Sequence, residues 1–128
     1  MSDTSNYLEN KMLDHVLGTT PFPAPSAVYA ALFTSPPNDA GGGTEVSGNG
    51  YVRQQATFNG ASDGVASNNA LVEFIPSGGD WGTVTHAALF DALTGGNYLY
   101  GRALTAAKVT ADGDPVQFPS GSLTVSQD

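Results

Sequence analysis

"THAALFDALTGGNYLYG", residues 85–101, decides the fold, because it reads either as a site or as a hairpin. It holds His86, one of two histidines in the chain, next to Asp91 and ahead of Gly95-Gly96. An acid/base pair would need both side chains on one side of the backbone. On an alternating strand Val84, His86, Ala88 and Phe90 share one face, while Thr85, Ala87, Leu89 and Asp91 share the other. His86 and Asp91 therefore point apart, and only a bulge would bring them together. Asp91, at a strand end, is placed to cap turn amides. Gly95-Gly96-Asn97 supplies the positive φ angles of a reversal. The stretch reads as two antiparallel strands and a turn.

The same alternation extends from residue 27 onward, interrupted by Gly, Pro, Asn and Asp. Strands are expected near 27–34, 51–58, 70–75, 83–91, 97–104, 115–118 and 122–126, with Gly- and Ser-rich loops at 41–50 and 59–68. The fold class is mainly β: an antiparallel β-sandwich or jelly-roll-like body of about seven or eight strands, with one N-terminal α-helix. "YAALFTS" (29–35) and "HAALFDA" (86–92) share Ala-Ala-Leu-Phe. One recurrence falls short of a repeat architecture, so the two strands are expected to fill equivalent core positions.

Upstream the period changes to that of a helix over 5–17. Leu8, Met12 and Val16 recur at i, i+4 and i+8, and Leu13 and Leu17 widen the stripe. Asn6 with Glu9 resembles a capping box, and Gly18 supplies the stop. A helix of about 13 residues is marginal alone, so these five apolar residues must dock on something. "TTPFPAPS" (19–26) is stiff and extended because Pro fixes φ and removes a donor. The expected organisation is an N-terminal amphipathic helix serving as an assembly arm (1–18), a proline-rich spacer (19–26) and a β-sandwich domain (27–128).

The chain has 128 residues, about one domain, and no cysteine, which removes disulfides and thiol chemistry. Twelve acidic against four basic residues leave a net charge of -8. Lys11, Arg53, Arg102 and Lys108 are scattered, which argues against a nucleic-acid partner. The same balance repels anionic membrane surfaces. The polar, acidic start is not a secretory signal, and no apolar stretch approaches the roughly 18 residues of a membrane span.

Candidate chemistry is thin. His15 lies near the helix C-terminus, where an imidazolium favours the dipole, and no ligand spacing surrounds it. "ADGDP" (111–115) faintly resembles a calcium loop but lacks the remaining oxygen ligands; a tight turn is expected. Gly41 to Gly43 lack the following Gly-Lys-Ser/Thr of a phosphate cradle, and no Gly-x-Ser-x-Gly elbow occurs. No catalytic residue, metal ligand or cofactor is assigned. Tyr98 and Tyr100 are expected on one strand face with Arg102, and Tyr51 on a face with Arg53. Amphipathic Tyr and Arg on an exposed sheet anchor protein contacts. With Trp81 and His86 they are the candidate subunit or receptor contacts.

"NYLENKMLDHVLG" (6–18), "VYAALFTSPP" (28–37), "GTEVSGNGYVRQQATF" (43–58), "WGTVTHAALFDALTGGNYLYG" (81–101) and a closing pattern of Gly113, Asp114, Val116, Phe118, Pro119, Gly121, Leu123 and Val125 carry a resemblance. The chain resembles small virion proteins of tailed bacteriophages known as tail-fibre proteins, some relatives of which look like capsid decoration proteins. The resemblance runs from Leu8 to Val125. It implies a non-enzymatic structural protein on the particle surface, a capsid decoration (cement) protein or a tail-fibre component. The implied partners are other virion proteins and copies of itself, as a homotrimer, with assembly in the host cytoplasm. The short, shaftless chain favours decoration. The alternative is a tail module that binds a host glycan or receptor through Trp81, Tyr98 and Tyr100.

Overall fold

The computed structural model describes residues 4–38 and 40–126, which form one helix and nine strands. These are α1 (Asn6–Val16), β1 (Val28–Ser35), β2 (Thr44–Glu45), β3 (Gln54–Ala56), β4 (Val65–Ser67), β5 (Val72–Phe74), β6 (Thr83–Phe90), β7 (Tyr98–Val109), β8 (Val116–Phe118) and β9 (Thr124–Ser126). The main sheet runs β2-β1-β6-β7, and β3 pairs with β1 beside β2. The antiparallel ladders β5–β8 and β4–β9 form the second layer of the sandwich.

The two Ala-Ala-Leu-Phe segments are neighbours at the centre of the main sheet. Antiparallel pairing sets Ala30 against Leu89, Ala31 against Ala88 and Leu32 against Ala87. Two of these pairs set alanine against leucine and the third sets alanine against alanine. Ala30, Leu32 and Leu89 face the second layer and join Val46, Ala56, Val72, Phe74, Trp81, Val84 and Val116 in the main core. Ala31, Phe33 and Ala88 are buried on the opposite face with Phe90 and Tyr98 against them. The Phe33 and Phe90 rings stack there, their centroids 6.2 Å apart.

Two register breaks between β6 and β7 correct the simple alternation. Val84 lies in the main core with Leu89 instead of sharing a face with His86, because the first break falls between Val84 and His86. At the second, Leu89 opposes Tyr100 while Phe90 opposes Tyr98, two residues against one. That bulge turns Tyr98 to the outer face and Tyr100 to the main core, so the expected shared face of the two tyrosines does not exist. His86 and Asp91 stay apart. Thr85 Oγ1 meets His86 Nδ1 at 2.8 Å, and Asp91 accepts from the Asn97 backbone N–H at 2.7 Å and from its Nδ2 at 2.9 Å. Asp91 thus caps the turn, and Gly95 and Gly96 take the positive φ angles of +61° and +74°.

Each expected strand region contains a strand. The segments read as loops at 41–50 and 59–68 also hold β2 and β4, which are two and three residues long. β7 continues to Val109, held by the Lys108–Val84 and Thr83–Val109 pairs beyond the first break.

The helix begins one residue earlier in its cap than expected. Ser5, not Asn6, is the N-cap, its Oγ accepting from the Leu8 N–H at 3.2 Å. Ser5 also donates its backbone N–H to the Leu99 carbonyl at 2.8 Å, and Thr4 bridges to Tyr100. The first turn is therefore fastened to β7, with Leu8 buried. The proline segment folds back along the helix. Phe22 donates its backbone N–H to His15 Nδ1 at 3.0 Å and meets the Tyr7 ring edge-on at 6.5 Å. His15 thus serves as an acceptor that straps the spacer to the 7/11/15 face.

Candidate interaction surfaces

One edge of the sandwich is sealed by a polar cluster. Arg53 is 8% exposed and donates Nε to Glu45 Oε2 at 2.8 Å and Nη2 to Oε1 at 2.9 Å. Its Nη1 donates to the Ala92 and Gly95 carbonyls at 2.9 and 2.8 Å, and the guanidinium lies 3.8 Å from the Phe90 ring centroid. Tyr51 Oη donates to Glu45 Oε2 at 2.7 Å and accepts from the Leu32 N–H at 3.0 Å. One bidentate pair thereby joins the loops on either side of β2, β3 and the β6–β7 turn.

Burial alone would raise the Glu45 carboxyl, but the hydrogen bonds from Arg53 and then Tyr51 outweigh it and hold the group below its ordinary value of 4.5. The bond to Glu45 raises Arg53 against the cost of burial. Burial first, then the bond to Glu45, pushes the Tyr51 phenol far above its usual range. Each of these groups is held in its resting protonation state, which suits a clamp and not proton transfer.

The expected contact residues divide by depth. Trp81 is 7% exposed, donates Nε1 to the Gly48 and Asn49 carbonyls at 3.2 and 3.1 Å, and packs edge-on to Tyr51. Tyr51, Arg53 and Trp81 thus face the interior of their own chain. Tyr98 lies on the outer face of the main sheet across Gly101, where a Cβ would collide with its hydroxyl. Tyr100 is half-buried against the main core, and burial raises its phenol. Arg102 is exposed, its Nη1 donating to Thr124 Oγ1 at 3.1 Å. Along the helix Leu8 is buried and Met12 half-buried, while Leu13, Val16 and Leu17 are 57%, 76% and 73% exposed.

Two residues that the sequence did not single out organise the second layer and the sealed edge. Asn68 is fully buried in what reads as a loop. Its Nδ2 donates to the Ala70, Phe118 and Pro119 carbonyls, and its Oδ1 accepts from the Gly121 and Leu123 N–H groups. Glu45, beside a glycine run, is the second. Neither carried a distinguishing signal in the sequence: Glu45 sits between Thr44 and Val46, and Asn68 is the first of an Asn-Asn pair.

Asp112 Oδ1 accepts from the Gly78 N–H at 3.1 Å, and Asp114 pairs with Lys108 at 3.0 Å, so "ADGDP" is a turn tied to two neighbours. Among the described residues no group of three or more His, Cys, Asp or Glu side chains converges as metal ligands, and no helix is long and apolar enough to cross a membrane.

A β-sandwich that commits its charged side chains to joining loops, and leaves apolar side chains uncovered on a helix, is suited to keeping its shape and touching neighbours. The class is that of phage fibre proteins. The chain belongs to the family described as Podophage GP4 fiber I protein gp80, whose model matches residues 3–126. No curated protein matches it.

Proposed function

We propose that the chain is a non-enzymatic structural component of a bacteriophage tail fibre, displayed on the virion surface and acting through contacts with other virion proteins and with copies of itself. The family match across residues 3–126 carries this reading, and it moves the balance from capsid decoration to the fibre. The sandwich from residue 27 onward is the displayed body, and residues 1–18 form the assembly arm on its proline spacer. Leu13, Val16 and Leu17, with Met12 beside them, are the anchor, and Leu8 fixes the arm to its own body. Tyr100 and Arg102 are the candidate contacts with sister copies in a homotrimer. A glycan-binding reading would have to rely on Tyr98 and Tyr100, because Trp81 is 7% exposed.

Gold-labelled antibody imaging of purified particles tests the proposal. Label confined to the tail is the expected result. Label scattered over the head would replace the fibre by a decoration role. Absence of label from particles, with the chain present in lysates, would overturn the virion assignment.

A further inference from the structure

Asparagine followed by glycine occurs twice in the chain, at Asn49-Gly50 and at Asn59-Gly60. Glycine has no side chain to shield its backbone nitrogen, so that nitrogen can reach the carboxamide carbon of the preceding asparagine. Both pairs are exposed, and their residue types rank them equal. Their surroundings do not.

At the first pair both residues are held. Asn49 and Gly50 take φ angles of +49° and +78° in a turn closed by the Tyr51 N–H on the Gly48 carbonyl at 3.0 Å. The Asn49 side chain donates Nδ2 to the Asp80 carbonyl at 2.7 Å, and the Asn49 carbonyl accepts from the Ser77 N–H at 2.8 Å and from Trp81 Nε1 at 3.1 Å. The Gly79 backbone packs on the same carboxamide, since a Cβ there would stand 2.9 Å from Nδ2. To react, this carboxamide must give up its hydrogen bond and turn against a packed neighbour.

The second pair lies outside any strand, between the Phe58–Asn68 bridge and the Ser62–Val65 turn. Asn59 donates its backbone N–H to the Ser67 carbonyl at 2.9 Å, and no described residue hydrogen-bonds to its side chain. Gly60 has open space where a Cβ would stand. The backbone is anchored just upstream while the carboxamide is free to rotate onto the Gly60 nitrogen.

We infer that Asn59 is a site of spontaneous deamidation, with the Gly60 nitrogen as nucleophile, and that the fold protects Asn49 from the same reaction. Solvent hydroxide takes the Gly60 amide proton, the nitrogen bonds to Asn59 Cγ, and the Cγ–Nδ2 bond breaks as Nδ2 departs with a solvent proton as ammonia. Water then opens the cyclic succinimide at either carbonyl, leaving aspartate or isoaspartate. One neutral side chain on the body becomes a carboxylate. The extra backbone carbon of isoaspartate falls between the Asn59 Cα and Gly60, downstream of the N–H that bonds Ser67, so the strand pairing beside it is kept.

The test is a time course of the purified full chain, folded at mildly alkaline pH, read by tryptic peptide mass spectrometry. Cleavage after Lys11, Arg53 and Arg102 puts the two pairs in separate peptides, 12–53 and 54–102, and fragment spectra locate the converted residue. Asn59 should convert about tenfold or more faster than Asn49, which must first release its hydrogen bond. In concentrated urea the two rates should converge. Gly60→Ala, whose new methyl meets nothing within 4 Å, should keep the fold and slow conversion of Asn59 severalfold by shielding the nucleophile. Equal rates in the folded chain, faster conversion of Asn49, a difference that persists in urea, or a rate indifferent to Gly60→Ala would each overturn the inference.

Discussion

The β3 edge and the β7 edge of the sandwich solve the problem of an exposed sheet margin in different ways. At the β3 edge, strands of two and three residues leave little backbone to expose, and Glu45, Tyr51 and Arg53 tie the adjoining loops together. At the β7 edge a strand of twelve residues runs along an apolar groove. Natural sheets shorten, charge or cover such edges because unpaired strands recruit other chains. Here one edge is protected within the monomer, and the other opens on an apolar groove. Stability is therefore concentrated at the first edge.

Substitutions at the sealed edge should cost the most. Trp81→Ala removes a buried ring from the main core and should lower folding stability by about 3–5 kcal/mol in urea denaturation. A loss under about 1 kcal/mol would break the comparison. Arg53→Ala leaves Glu45 with only its bond from Tyr51 and two turn carbonyls without their Arg53 donor, and should cost about 3 kcal/mol, the low end for a broken buried pair. Its effect should be accompanied by faster amide exchange in residues 92–97, where the Arg53 contacts lie.

Asn68 sharpens the picture from the second layer. Asn68→Ala should cost about 2 kcal/mol, since buried donors and acceptors lose their partners. Asn68→Asp should be no better, because it sets a carboxylate against the three carbonyls that the amide nitrogen serves. Recovery of wild-type stability by the aspartate would show that the amide donor is dispensable.

Glu45 makes the sealed edge sensitive to acid. Its carboxyl is held below 4.5 in the fold, so near that pH the unfolded chain binds more protons than the folded one. The stabilisation is present above about pH 4.5 and disappears as pH falls through the lowered folded value. Tyr51 has the opposite sign, its phenol raised in the fold above 10.0. Its contribution is intact below pH 10 and declines as pH rises beyond it. Thermal unfolding against pH should show the acid limb in wild type and a flatter one in Arg53→Ala. The smallest expected effect on folding is at the other end of the comparison. Leu13→Glu/Leu17→Glu should change monomer stability by no more than about 0.5 kcal/mol per site, as for exposed positions.

The strands that were legible in the sequence are those with long apolar alternation. β1 and β6 showed themselves through their shared Ala-Ala-Leu-Phe, although nothing in their residues signalled that the two segments pair with each other. β2 and β4 were not legible, because two or three residues beside Gly and Ser carry no period of their own. The far end of β7 was not legible either, because Ala106-Ala107 has poor strand propensity and the strand is carried past the register break by the Lys108–Val84 and Val109–Thr83 pairs. The helix was evident from its apolar stripe. Which part of that stripe docks was not, since Leu8, Met12 and Val16 lie within about 80° of one another on a helical wheel and only Leu8 of the three is buried.

The sequence alone determined a cysteine-free, acidic, mainly β chain with one N-terminal helix, and it excluded familiar nucleophile and phosphate motifs. These follow from composition and local period, which the chain carries wherever it folds. Only the tertiary structure decided which faces the tyrosines take, because a single bulge residue inverts alternation and its position depends on the partner strand. The roles of Glu45, Arg53 and Asn68 were likewise decided there. Their hydrogen-bond partners lie between 2 and 55 residues away along the chain, and folding alone brings those partners together.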